Sequence, residues 1–268
     1  MRKLTTLTLT ALALATTTAR AEMTGREIMQ KQKDLQSVDT EFGADMMLIK
    51  DTKSGSTETR NTRRYSKEPE EGLSKSMFVF LSPANIAGTA VLTWEQETDD
   101  DQWLYMPATK KMQRIASGSK KNYFMGTDFT YEDMEPEDMD NFNYTVLKTE
   151  SLNVDGADVA CWVVEAVPAN EEKKRASGYS KRLMWVDQER FVTLKAEFYD
   201  RRERLIKTQT VFELENITGT VWRPKKTMMD NPSKNSQTLT MTTERKVNDP
   251  IDDEVFTERF ILSGRHTQ

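Results

Sequence analysis

Residues 204–246 read RLIKTQTVFELENITGTVWRPKKTMMDNPSKNSQTLTMTTERK. Runs rich in Thr, Val, Phe and Met are separated by two short breaks, around Gly219 and at Asn231-Pro232-Ser233-Lys234-Asn235. β-branched and aromatic residues suit a pleated, half-buried surface, and Gly, Pro and Asn supply the turns between strands. In TLTMTTE (238–244) polar and apolar residues alternate, the period of a strand with one face covered and the other wet. This stretch therefore predicts an antiparallel meander.

The same rhythm extends upstream. Strand-like runs appear at GADMMLI (43–49), TRNTRRYS (59–66), SMFVFL (76–81), AVLTWE (90–95) and QWLYMP (102–107). FNYTVLKT (142–149), VACWVVEAV (159–167), KRLMWVD (181–187) and FVTLKAEFYD (191–200) continue the series. Gly, Asn, Asp or charged turns separate most of them. Charged runs such as ETDDDQ and NEEKKRASG are short enough for hairpin turns. Two places read as helical. TGREIMQKQKDLQ (24–36) carries a capping box at Thr24 and Glu27, and a modest apolar face at Ile28, Met29 and Leu35. In SPANIAGTA (82–90), Ser82 as N-cap, Pro83 behind it and Gly88 as stop predict one or two helical turns. The fold class is mainly β with a few helices: one large curved antiparallel sheet with short helices on one face.

The N-terminus, MRKLTTLTLTALALATTTARA, has a basic start at Arg2 and Lys3, and a short apolar run from Leu4 to Ala15. The small residues Ala19 and Ala21 then flank Arg20. That order is a cleavable signal peptide over 1–21, leaving a single domain over 22–268 that begins at Glu22 and is exported to the periplasm. The apolar run is too short to span a bilayer. Losing Arg2, Lys3 and Arg20 takes the net charge from −5 to −8, so nucleic acid and stable embedding in an anionic membrane are disfavoured. Charged residues make up 30% and hydrophobic residues 37% of the chain, as one-sided burial requires. Cys161 is the single cysteine, so the core holds without disulfides and Cys161 reads as a small buried hydrophobe.

Catalytic motifs are scarce. The only histidine is His266, close to the C-terminus, where an unfixed environment is expected and His266→Ala should change nothing. That removes His-based triads and zinc sites. Ser117-Gly118-Ser119-Lys120 matches S-x-x-K, but neither S-D-N nor K-T-G accompanies it, so a solvated basic loop is the better reading. Acidic runs leave a glycosidase pair open on composition alone. No cofactor is called for, and the protein reads as a non-enzyme.

The segment WLYMPATKKMQRIASGSKKNYFMGTDFTYEDM (103–134) carries a resemblance. It is similar to the outer-membrane lipoprotein-sorting group of the LolA/LolB-like superfamily, in its long-chain branch found beside RND/MMPL exporters. A WLYxPA–KxxRI strand pair, a basic loop and FMGxDFxYED follow one another in that branch. Here Trp103, Tyr105, Pro107 and Ala108 match, then Lys111, Arg114 and Ile115, then Phe124 to Asp133. GTAVLTWE, EFYD, VWRPKKTMMD and DDEVFTERFILSG extend the likeness over most of the chain. The lid arginine of the shorter carrier falls in the region of Arg60, Arg63 and Arg64 without a unique match.

The resemblance implies an incomplete antiparallel β-barrel whose concave face is covered by helices, with an apolar cavity for acyl chains of lipids or lipoproteins. Candidate lipid-binding residues are Phe78, Phe80, Leu92, Trp94, Trp103, Tyr105, Ile115, Phe124, Met125, Phe129 and Tyr131. It also implies an inner-membrane RND/MMPL transporter as partner. Fifteen methionines, several around this motif, suit a pliable lining. YFMGTDFTYEDM (123–134) is expected to be a cover folded over the open side, with Gly126 permitting the reversal. Phe124, Met125 and Phe129 would point inward; Asp128, Glu132 and Asp133 would face water or cap a turn. The alternative is a non-catalytic β-rich envelope module that binds protein or glycan.

Overall fold

A computed structural model describes residues 23–69, 72–97, 99–136 and 138–268. The expected signal peptide lies outside the described residues. Helix α1 (Gly25–Gln36) starts as its capping box dictates: the Thr24 side chain accepts from the Glu27 N–H, and the Glu27 carboxylate accepts from the Thr24 N–H at 2.7 Å. Six strands follow: β1 (Thr40–Asp51), β2 (Thr57–Lys67), β3 (Lys75–Phe80), β4 (Ala90–Trp94), β5 (Asp101–Met106) and β6 (Lys111–Arg114). After a long crossing segment come β7 (Phe142–Val154), β8 (Ala157–Pro168), helix α2 (Glu171–Ala176) and β9 (Tyr179–Asp187). β10 (Thr193–Asp200), β11 (Leu205–Thr218), β12 (Val221–Asn231), β13 (Ser236–Val247) and helix α3 (Glu258–Leu262) complete the chain.

All thirteen strands join one sheet in the order β6-β5-β4-β3-β2-β1-β13-β12-β11-β10-β9-β8-β7. Every pairing is antiparallel between sequence neighbours, except that β1 pairs with β13, from Glu41 opposite Val247 to Asp51 opposite Ser236. The first and last strands therefore meet mid-sheet, and the edges β6 and β7 are consecutive in sequence. The sheet is open, as the half-barrel expectation has it. At the β7 side the sheet curls: the Glu213 N–H on β11 donates to Asp155 Oδ2 in the β7–β8 turn at 2.7 Å.

Residues 82–90 differ from the reading. One turn forms, with Ile86 N–H and Ala87 N–H on the Pro83 carbonyl, but the Ser82 hydroxyl accepts from Asn61 N–H instead of capping it, and the Ser82–Pro83 bond is cis. NEEKKRASG is a helix, not a bare turn; the Asn170 side chain caps α2 by accepting from Lys173 N–H. Cys161 is free and fully buried, and burial pushes its thiol up to about 11.

The C-terminus is the clearest correction. It is not frayed: His266 is 3% exposed, with Nε2 2.9 Å from the Gly88 carbonyl and its ring edge-on to Tyr105. Gly88 has φ 82, which glycine takes freely, and its carbonyl is thereby presented to the imidazole. Arg63 also donates to the Gln268 carbonyl. His266→Ala is thus expected to lower stability by about 1–3 kcal/mol, through an unsatisfied carbonyl and a lost ring contact. A urea midpoint equal to that of the parent protein would refute this.

Candidate functional site

Cross-strand register assigns the two faces. Gly43, Arg64, Phe78, Val91 and Leu104 are successive partners across β1 to β5 and share one face; Asp45, Thr62 and Phe80 lie beside them. Tyr65, Met77, Leu92 and Trp103 are partners on the opposite face. The first face is crossed by residues 115–141, which run from edge β6 to edge β7. Within this crossing segment the only β-bridge among the described residues is Tyr123 to Thr130. It is a strap over the sheet, not a strand in it.

The strap reverses at Met125 and Gly126 (φ 48 and 77), closed by Thr127 N–H on the Phe124 carbonyl at 2.9 Å. The turn is held by Arg60 of β2, which donates to the Met125 carbonyl at 2.6 Å and lies over the Phe80 ring. Phe124, 1% exposed, packs on Phe78, Phe80 and Tyr131 with ring centroids 5.2–5.5 Å apart.

Three of the strap's carboxylates, Asp128, Glu132 and Asp133, do not face water. Asp128 is fully buried: Thr238 and Ser236 hydroxyls donate to its Oδ2 at 2.8 and 2.9 Å, and its N–H donates to Thr238 Oγ1. Asp133 accepts from Thr130 N–H, which does cap the turn, but also from the Tyr179 hydroxyl at 2.8 Å and the Lys207 ammonium. Glu132 accepts from Gly178 N–H at 2.9 Å. Each anion is drawn inward because the covered face itself offers donors to it. The alternation in TLTMTTE therefore turns Thr238, Thr240 and Thr242 toward the strap's face, with Thr238 fully buried, and leaves Leu239 and Met241 half-buried on the outer face.

Lys207 of β11 is also fully buried, with its ammonium 4.9, 5.1 and 5.7 Å from the Phe198, Tyr179 and Tyr123 ring centroids. It donates to the Asp128 carbonyl at 3.2 Å as well as to Asp133. With Asn231 donating to the Tyr123 hydroxyl and Gln102 to the Tyr131 carbonyl, the strap is tied to β2, β5, β9, β11, β12 and β13.

The eleven candidate lipid-binding residues separate accordingly. Phe78, Phe80, Phe124, Met125 and Tyr131 share one apolar cluster beneath the strap. Phe129 packs against a second cluster, built on α1, β8, β9 and β10. Leu92, Trp94, Trp103 and Tyr105 lie on the opposite face, under Phe256 and Ile261 of the C-terminal segment, with Trp94 Nε1 donating to the Phe256 carbonyl at 2.9 Å. Ile115 follows β6, half-buried, its N–H on the Gln102 carbonyl. These residues cannot all line one cavity.

Two clefts adjoin the strap, of about 400 and 440 Å³. The first lies between α1, β1 to β4 and Met134, Glu135, Pro136 and Met139; the second lies between the strap, α2 and β9 to β11. Neither is lined by any of the eleven. Glu135 and Pro136 line both clefts and form part of the partition between them.

Glu135 is ion-paired with Lys120 and lies 4.0 Å from Lys173. Burial pushes its carboxyl up to about 7, outweighing both lysines. Burial alone would depress Lys120, but Glu135 and Asp99 raise it. A solvated carboxyl titrates near 4.5, so the folded protein binds this proton more tightly than the unfolded chain does. Glu135 therefore favours the folded state increasingly as pH falls from 7 toward 4.5, and that contribution is lost as pH rises through the same window. Glu135→Gln should flatten the dependence of the urea midpoint between pH 5 and 8; an unchanged slope would sink the assignment.

With the geometry in place, comparisons with known proteins identify the family. A Vibrio parahaemolyticus structure described as an outer-membrane lipoprotein-sorting protein domain is 30% identical, over 89% of this chain and 98% of that one, with a TM-score of 0.81. The chain belongs to this lipoprotein-sorting family. A DUF1329 family protein from Desulfovibrio piger is 27% identical over 88% of this chain and 97% of its own, with a TM-score of 0.80. A LolA superfamily protein from Nitrosomonas europaea, at 22% identity, covers 89% of this chain and 100% of its own with a TM-score of 0.69, and so shares the fold. A family profile described only as an uncharacterized protein matches residues 72–263. No curated protein sequence matches significantly.

Residues 123–134 lie over the sheet as a cover would, but the residues that fasten them are not legible in the sequence. Lys207, Thr238, Ser236 and Asn231 sit in strands whose alternation marks them as a set, and nothing local says that their set is the covered one. Among the described residues no cluster of three or more His, Cys, Asp or Glu is placed to hold a metal, and no helix is long and apolar enough to cross a membrane.

Proposed function

We propose that this protein is a periplasmic carrier that shelters the acyl chains of lipids or lipoproteins between sheet and strap on their way toward the outer membrane. The observation that carries the reading is the strap itself: a segment between β6 and β7, outside the sheet, closing an apolar cluster of Phe78, Phe80, Phe124 and Tyr131 on one face. Similarity to a domain described as lipoprotein-sorting supports it. The rings pack against one another in the closed state, so an acyl chain enters by displacing Phe124 and the strap from the sheet. About fourteen buried methylenes would return roughly 11 kcal/mol, enough to offset several lost contacts. An RND/MMPL exporter as the donor of cargo belongs to the same proposal and is supported by the motif resemblance.

The test is mass spectrometry of an organic extract of protein purified from the periplasm, without detergent. Fatty acyl species in near-stoichiometric amount are expected. Their absence, together with no binding of a fluorescent fatty-acid probe, would overturn the carrier and favour a protein- or glycan-binding envelope module.

A further inference from the structure

Glu41 and Arg223, which line the 400 Å³ cleft, belong to a charge arrangement that holding acyl chains does not require. Glu41 of β1 accepts from Arg64 at 2.9 Å, Arg223 at 2.9 Å and Arg245 at 3.1 Å, and Asp45 accepts from Arg64 at 3.0 Å. Three guanidinium groups thus share two carboxylates, leaving one positive charge in excess. Gly43 makes room for this: a Cβ there would lie 2.7–2.8 Å from the Arg64 guanidinium. The third hydrogen-bonding arm of Arg223 ties the cluster to the end of α1 through the Gln36 carbonyl at 2.8 Å.

The rest of the cleft points the same way. Lys33 of α1 lines it and makes no ion pair among the described residues. Ser66 and Ser76, directly opposite each other on β2 and β3, also line it, and their hydroxyls have no partner among the described residues. Lys67 and Lys75 border the cleft but belong to the opposite face of β2 and β3, where Lys67 pairs with Asp253 and Lys75 lies over the Trp94 ring; Glu41, Glu68 and Glu135 are the carboxylates of the lining. Met29, Met134 and Met139 form an apolar side toward the strap. The second cleft has the opposite sign, lined by Asp99, Asp100, Asp138, Asp140, Glu97 and Glu172 among others. In a chain of net charge −5, the unpaired Lys33 and the arginine cluster set the first cleft apart from the second.

We propose that the first cleft binds an anionic headgroup, phosphate or carboxylate, of the carried amphiphile, with the tails leaving along the methionine side. This rests on the carrier reading above. Guanidinium, ammonium and free hydroxyl groups are the donors that recognise such an anion. Within the cluster, burial first and then the neighbouring Arg64 depress Arg245, while Arg64, against its burial, is raised by Asp45 and Glu41.

The test is calorimetric titration of the protein with two short-chain phospholipids that share the same tails, dihexanoyl phosphatidylglycerol and dihexanoyl phosphatidylcholine, below their micelle concentrations. Inorganic phosphate serves as a competitor and as a separate titrant. The anionic lipid should bind about tenfold tighter, a preference removed by Lys33→Glu and reduced by Ser66→Ala with Ser76→Ala. Phosphate should compete against it and not against phosphatidylcholine. Equal affinity for the two lipids would overturn the headgroup site and leave the carrier standing. Phosphate binding that Lys33→Glu abolishes, with no lipid binding, would make this a free-anion site and overturn both the headgroup assignment and the carrier. Binding of none of the three would overturn both as well.

Discussion

Lys207→Ala is expected to lower the stability of the folded protein by about 3–5 kcal/mol, the usual result of removing one partner from a buried ion pair. The ammonium is fully buried among three aromatic rings and serves Asp133 and the Asp128 carbonyl together. Without it Asp133 keeps the Tyr179 hydroxyl and the Thr130 N–H, but its charge has no counterion. Lys207→Met with Asp133→Asn should recover much of the loss, because the second change removes the stranded charge while Asn can still accept from Tyr179. Urea midpoints of Lys207→Met, Asp133→Asn and the double variant form the cycle. Additive losses would mean that the pair does not fasten the strap.

The second large effect belongs to Phe124. Phe124→Ala should cost about 3–5 kcal/mol, as for any ring truncated in a packed cluster, whereas Phe129→Ala, at a half-buried position, should cost less. Binding separates a plug from an ordinary core residue. If the ring must leave before an acyl chain can enter, weakening its seat raises the population of the open strap, and apparent affinity for a fluorescent fatty-acid probe rises with it. An increase of tenfold or more is expected for Phe124→Ala, measured well below its unfolding temperature. Unchanged affinity in a destabilised variant would show that Phe124 plays no part in admission.

The strands were legible because period-two alternation and turn residues are local signals, and the start of α1 was legible because a capping box is complete within four residues. Faces were harder. SMFVFL is apolar at nearly every position, so its parity does not reveal that Phe78 and Phe80 meet the strap while Met77 and Val79 meet the C-terminal segment. Lys207 sits in LIKTQTV and reads as solvent-facing. Its cage is assembled from Tyr123, Tyr179 and Phe198, which no short window of sequence brings together. The same holds for His266, whose partners Gly88 and Tyr105 lie far away in the chain. The half-barrel and its strap came from the long motif around 103–134, not from periodicity, because curvature and closure are properties of the whole sheet.

The pairing of β1 with β13 also decides the order in which the molecule can be made. β1 to β6 and β7 to β13 are each a run of hairpins, with partners close in sequence and cheap to bring together. The seam between them joins Glu41 to Val247, nearly the whole length of the chain apart, so it should close late and slowly. Until then two half-sheets exist, each with one further edge strand unpaired and no floor continuous enough for the strap to lie across. Pulse-labelled hydrogen exchange during refolding should find β1 and β13 amides protected after those of the β7–β8 and β11–β12 hairpins; simultaneous protection would contradict this order. A newly exported chain would then be unable to hold cargo until its last strand had arrived.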